Sequence, residues 1–173
     1  MARAYPDNGY PVNYWPQYYW PITGAVIATK RYKILSAIKA ALQNSTGIQY
    51  VTEKTEAWWD WSHNKYPGVC MVLGDEQDSF LAYSGTTELL DMQSKGEIDI
   101  LGYVFDKHNN LGDKRSGLIR DIELSVATDS TVTSLVNDIG ITSIDTDKGE
   151  LENFSVVNCK VEFNYNYNRS KGE

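Results

Sequence analysis

His63 and His108 could each join a carboxylate in acid–base work, but they stand in polar stretches far apart in sequence. Neither has an activated serine or cysteine motif beside it, which general acid–base or nucleophilic chemistry would need. Ser36-Ala-Ile-Lys39 satisfies the Ser-x-x-Lys pattern of some acyl-transfer enzymes. The companion motifs are missing, and a solvated helix face accounts for the pair better. Asp145-Thr-Asp-Lys-Gly149 hints at an acidic calcium loop. Its glycine falls one position early and no bidentate glutamate stands at the required offset, so a hairpin turn is the better reading. There is no phosphate-cradling glycine loop and no His or Cys ligand cluster. The expectation is a protein with no metal, no cofactor and no catalytic residue. The two cysteines, Cys70 and Cys159, each fall inside an apolar strand pattern and read as buried free thiols.

Composition narrows the partners. A length of 173 residues fits one domain with a real core, and an added arm is compatible with it. The net charge is −7 with no basic run, which argues against a phosphate-backbone ligand. The longest apolar run, Ile22 to Ala28, is far short of the ~20 residues a membrane helix needs, and the first residues lack a secretory pattern. A protein made and kept in a cytoplasm is expected.

The clearest element is the last strand. From Val156 to Tyr167, Val157, Cys159, Val161, Phe163, Tyr165 and Tyr167 alternate with Asn158, Lys160, Glu162, Asn164 and Asn166, a period of two with one apolar face. Ile139 to Ile144 precedes it, and the polar stretch Asp145 to Asn153 turns the chain back, giving a terminal β-hairpin. Upstream, Tyr32, Leu35, Ile38, Ala41 and Leu42 form a helical stripe after Thr29, a fair N-cap. Gly47 to Thr52 alternates as a strand. Val69 to Leu73 is apolar on both faces, which suits a central strand closed by Gly74 to Asp78. Phe80 to Tyr83 is too short to assign. Thr87 to Met92 and Gly96 to Phe105 read as two strands joined at Ser94-Lys95-Gly96. Asp113 can cap a second helix carrying Leu118, Ile119, Ile122 and Val126, ended by Thr128 to Ser130, and Thr131 to Asp138 links it to the hairpin. The order implies α+β: a largely antiparallel or mixed sheet with two helices packed on one face, plus an extended N-terminal arm.

The aromatics are the unusual part. Tyr5-Pro6, Tyr10-Pro11, Trp15-Pro16 and Trp20-Pro21 repeat every fifth residue through 1–28. Proline fixes φ, removes a donor and holds the preceding residue extended, so this segment reads as an arm, adding contacts rather than stability to a fold that starts near Thr29. Two readings of it stay open: an ordered tail on its own domain, or a reach to a neighbouring subunit, for which Tyr5, Tyr10, Trp15 and Trp20 would be the anchors. Trp58, Trp59 and Trp61 form a second cluster. They face a partner or fold inward as a satellite core, with the partner reading placed first.

Three stretches together resemble a known family. Arg31 to Leu42, Tyr66 to Glu76 with its acidic end, and Thr131 to Glu150 leading into the alternating last strand make the chain, over roughly 29–167, similar to the tail terminator proteins of long-tailed bacteriophages, the group of the lambda minor tail protein U. The resemblance implies a domain over 29–168, with 169–173 a polar tail. It further implies a ring of subunits, commonly six, at the head-proximal end of the tail tube, where it ends tube growth and joins tail to neck. Its partners would be itself, the tail tube protein and a neck or head-completion protein, in a virion assembled in the host cytoplasm, with no membrane contact. DNA would pass through the ring without being bound, and Asp75, Glu76 and Asp78, with Asp145, Asp147 and Glu150, are the candidate lumen-facing acids, on loops. Another neck or tail-completion protein is the nearest alternative; a carbohydrate-binding module, using the Trp loop as a platform, is the alternative from a different class.

Overall fold

The structure is a computed structural model that describes residues 29–54, 57–84, 89–107, 110–147 and 153–168. The arm 1–28, the polar tail 169–173, His108 and Glu150 lie outside the described residues.

The alternating strand at the C-terminal end sits inside the sheet, with its apolar side in the core beneath the helices. It is β5, Phe154–Asn168, and Val157, Cys159, Val161, Phe163 and Tyr165 are all buried on one face. On one side it pairs antiparallel with β3, Leu89–Phe105, from Asp91↔Asn168 through Phe105↔Phe154. On the other it forms the expected hairpin with β4, Asp138–Thr146. Beyond β3 lies β2, Gly68–Ser84, antiparallel to it, and beyond that β1, Tyr50–Thr52, parallel to β2. The order β1-β2-β3-β5-β4 is a five-stranded mixed sheet.

The covering layer is helical. Helix α1, Lys30–Asn44, starts at Thr29, whose Oγ1 accepts the Tyr32 N–H at 3.3 Å. Helix α2 spans Leu111–Thr128 and α3 spans Ser130–Leu135. Ile34, Ile38 and Leu42 of α1, Leu118, Ile122 and Val126 of α2 and Val132 of α3 pack with Val69, Met71, Ile98, Ile100, Val104 and the apolar side of β5 into one core. The chain is an α+β fold with its helices on one face of the sheet.

Several local expectations are corrected. The buried stripe of α1 is Ile34, Ala37, Ile38, Ala41 and Leu42, the i, i+3, i+4, i+7, i+8 set; Tyr32 is 62% exposed. The strand expected over 47–52 keeps only its last three residues. Asp113 stands in the first turn of α2 rather than at its cap, because the helix begins two residues earlier. The link 131–138 contains α3, which follows α2 after a single residue because Asp129 Oδ1 accepts the N–H groups of Thr131 and Val132 at 2.9 and 3.0 Å. Strand β2 does not end at Gly74 to Asp78 but runs on to Ser84, absorbing Phe80 to Tyr83.

The two strands expected around Ser94-Lys95-Gly96 are one strand. Ser94 is fully buried there, and Gly96 pairs with Phe163 of β5. A side chain at 96 would run into the Phe163 ring, so the glycine serves as the bed of an aromatic lying across β3. Gly96→Ala is accordingly expected to lower the unfolding free energy by about 1–3 kcal/mol through overpacking. Combining it with Phe163→Leu should cost less than the sum of the two single changes, measured by denaturant unfolding; strict additivity would show that ring and glycine are not coupled.

Candidate assembly surface

Strand β2 changes face part-way along. Leu73 pairs with Ile98 and Glu76 with Gly96, so two residues, Gly74 and Asp75, stand opposite Glu97 alone. This bulge reverses the side-chain parity and turns Glu76 toward the helices. There its carboxylate accepts hydrogen bonds from the Tyr165 hydroxyl and, at 2.9 Å, from the Ser94 hydroxyl, and it forms an ion pair with the Arg31 guanidinium. Arg31 Nη2 also donates to the Gly74 carbonyl at 3.3 Å. Lys30 Nζ donates to the Asn166 carbonyl at 2.7 Å, and the Tyr167 hydroxyl to Asp78 at 3.2 Å. The first turn of α1 is thereby stitched to β2 and β5. Burial, then the hydrogen bond to Glu76, raises the Tyr165 phenol far above its ordinary range, so it stays a donor at any neutral pH.

This placement revises the expected acidic wall. Residues 75–78 are strand, not loop. Glu76 is committed to Arg31 and Tyr165, while Asp147 accepts from Ser155 Oγ at 2.9 Å and pairs with Arg115 at 3.5 Å. Asp75, Asp78 and Asp145 are exposed, Asp145 within β4.

The tryptophan cluster divides. Two 3-10 turns, Trp58–Asp60 and His63–Lys65, lay their rings over the sheet face opposite the helices, where Cys70, Tyr103 and Phe105 need cover. Trp61 is 8% exposed and meets Tyr50 and Tyr103 edge-on at 5.0 and 5.3 Å; Trp58 stacks on Tyr103 at 5.2 Å. The Tyr66 hydroxyl donates to the Trp58 carbonyl, and the Lys65 ammonium lies 4.0 Å from the centre of the Tyr50 ring. Trp61, and most of Trp58, therefore belong to a satellite core rather than to a partner-facing loop. Trp59 stays outside it, 62% exposed.

The residues singled out for chemistry take structural places. His63 packs against Phe105 at 4.6 Å, and Lys39 pairs with Glu53 at 3.2 Å. The Cys70 thiol donates to the Lys54 carbonyl at 3.2 Å, and burial pushes the Cys159 thiol up to about 11; both cysteines are free, as expected. Among the described residues no group of three His, Cys, Asp or Glu is placed to hold a metal ion.

What remains open is an edge. Strand β1 covers β2 only from Gly68 to Cys70, so among the described residues the outer side of β2 has no strand partner from Met71 onward. Between that edge and α1 lies a groove of about 240 Å³ lined by Tyr32, Leu35, Ser36, Glu53, Met71, Val72 and Leu73. Tyr32 and Leu73 are two of the most exposed large apolar side chains described, at 62% and 58%. Neither the groove nor the Glu76 tie was read from the sequence; a glycine followed by two acids inside an apolar run was the available sign of a bulge. No protein-family model matches this sequence, and no curated protein matches it.

Trp61→Ala is expected to destabilise the fold by about 3–5 kcal/mol as a large-to-small core change, whereas Trp59→Ala should stay within roughly 0.5 kcal/mol. Thermal and denaturant unfolding of the two variants checks the division; equal effects would contradict it.

Proposed function

We propose that this chain is a structural virion protein of the tail-terminator type, forming a ring at the head-proximal end of a phage tail tube, where it stops tube growth and joins tail to neck. The observation that carries the reading is architectural. The family resemblance implies a sheet with helices packed on one side, and the chain has that layout, with α1 first and the β4–β5 hairpin last. Its polar clusters serve as ties between elements, and its open β2 edge, its groove and Trp59 lie on the surface, as an assembling subunit requires. No helix among the described residues is long and apolar enough to cross a membrane. A neck or tail-completion protein would share these features. The sugar-binding alternative loses its platform, because Trp61 and most of Trp58 face inward.

Electron microscopy of the purified full-length chain should show closed rings, commonly of six subunits; a monomer at every concentration would contradict the reading. The native protein should have no measurable DNA affinity at physiological salt, as an acidic passage requires. Lysine at Asp75 and Asp78 together should create weak, salt-sensitive DNA binding while sparing the Glu76 tie. Unchanged behaviour of that variant would move the passage wall away from β2.

A further inference from the structure

We propose that the apolar run 22–28, which leads directly into Thr29, seats on its own domain in the groove between α1 and β2 and closes the open β2 edge against strand pairing with other chains. This goes beyond the ring reading and does not rest on it.

The groove and the edge call for the same kind of cover. Tyr32, Leu35, Met71, Val72 and Leu73 give the groove apolar walls, and Tyr32 and Leu73 keep 62% and 58% of their surface exposed. Beside them β1 ends opposite Cys70, so among the described residues the outer backbone of β2 has no strand partner from Met71 onward. Apolar walls next to unpaired N–H and C=O groups suit an extended apolar segment, whose backbone pairs with the edge while alternate side chains enter the groove. Another copy's sheet edge fits less well. The exposed acids Asp75 and Asp78 of β2 and Asp138 and Asp145 of β4 put like charges on both outer strands, which repel when such edges meet.

The run 22–28 has the required character. It holds Ile22, Val26 and Ile27, carries no charge, and is the longest proline-free stretch before Thr29, following Pro6, Pro11, Pro16 and Pro21. A missing N–H at every fifth residue disqualifies the rest of the arm from a ladder, and Pro21 can stand only at the beginning of one. In extended geometry Ile22 and Val26 share a face, with the side-chain-free Gly24 between them. Continuity supplies the reach. Tyr32, the groove's first residue, lies one helical turn beyond Thr29, about 4.5 Å of rise, whereas the run spans roughly 23 Å when extended. The exit point is fixed as well, because Lys30 Nζ donates to the Asn166 carbonyl at 2.7 Å and Arg31 pairs with Glu76. A segment tethered there meets the groove at a millimolar effective concentration, which a free partner does not match. With the edge closed, partner contacts on that side fall to the arm's aromatic–proline pairs instead of to bare β2 backbone.

Amide hydrogen exchange on the full-length chain tests the docking. Over residues 71–76 the Val26→Asp variant should exchange about tenfold faster than the unaltered protein, with exchange in the β4–β5 hairpin the same in both. Val26→Ile, which keeps the apolar contact, should retain the protection. Protection in the unaltered protein should also survive a roughly hundredfold dilution, as a contact within one chain requires. Tyr32→Ala alters the groove from the α1 side without touching the β2–β3 ladder; it should release the same amides, and the double variant Tyr32→Ala with Val26→Asp should exchange no faster than either single one. Equal exchange in the unaltered and Val26→Asp chains, protection lost on dilution, or additive acceleration in the double variant would each overturn the docking. Val26→Asp should further sediment in part as species larger than any the unaltered protein forms; freed amides without such species would overturn the guarding role.

Discussion

A strand with one unbroken apolar face has to bury that face, and β5 sets the rest of the molecule by this requirement. Val157, Cys159, Val161, Phe163 and Tyr165 need a covering layer along their whole length, and their backbone needs partners on both sides. The helices meet the first need and β3 and β4 the second. Even the glycine at 96 follows from it, because Phe163 can lie flat only over a position without a side chain. The Gly74-Asp75 bulge then brings Glu76 to the same face, where Arg31, Ser94 and Tyr165 close around one carboxylate and fix the start of α1 over the sheet. A half-buried carboxylate with three partners is costly to break, since removing it strands a guanidinium and two hydroxyls.

The two faces of the sheet are finished differently. One is sealed by helices; the other carries an aromatic satellite core at the end bearing Tyr103, Phe105 and Phe154, and a ladder of charges further along. Lys95 pairs with Glu162 at 2.6 Å and Lys160 with Glu97 at 2.9 Å across β3 and β5. Such exposed pairs contribute little stability, but they keep that part of the face wetted. Among the described residues the large apolar side chains left most exposed are Tyr32, Trp59 and Leu73, at the β2 edge and the tryptophan turn, with Leu124 of α2 and Ile144 of β4 less so.

The architecture was legible where periodicity was long. Strand β5, its hairpin with β4, both main helices and the α+β class follow from sustained periodic patterns, because burial of one face imposes them. Ser94-Lys95-Gly96 misled because a polar, glycine-bearing stretch inside a strand looks like a turn when the ring that fills it comes from Phe163, far along the chain. Gly74 to Asp78 misled for a related reason: the carboxylate of Glu76 is stabilised by side chains of α1, β3 and β5, none adjacent in sequence. The three tryptophans could not be divided from sequence alone, since the rings that receive Trp58 and Trp61, Tyr103, Tyr50 and Phe154 among them, come from three different strands. The site is thus built from long-range contacts that local pattern does not encode.

The proposed role asks for a subunit that ends one structure and begins another, and the acidic composition, the open β2 edge and the exposed Trp59 suit that proposal. The most direct measurement adds the purified chain to polymerising tail tube protein and follows tube length and label position by electron microscopy. The account predicts that growth halts and that label sits at one end of each tube. Uninterrupted growth, or label distributed along the tube wall, would contradict it.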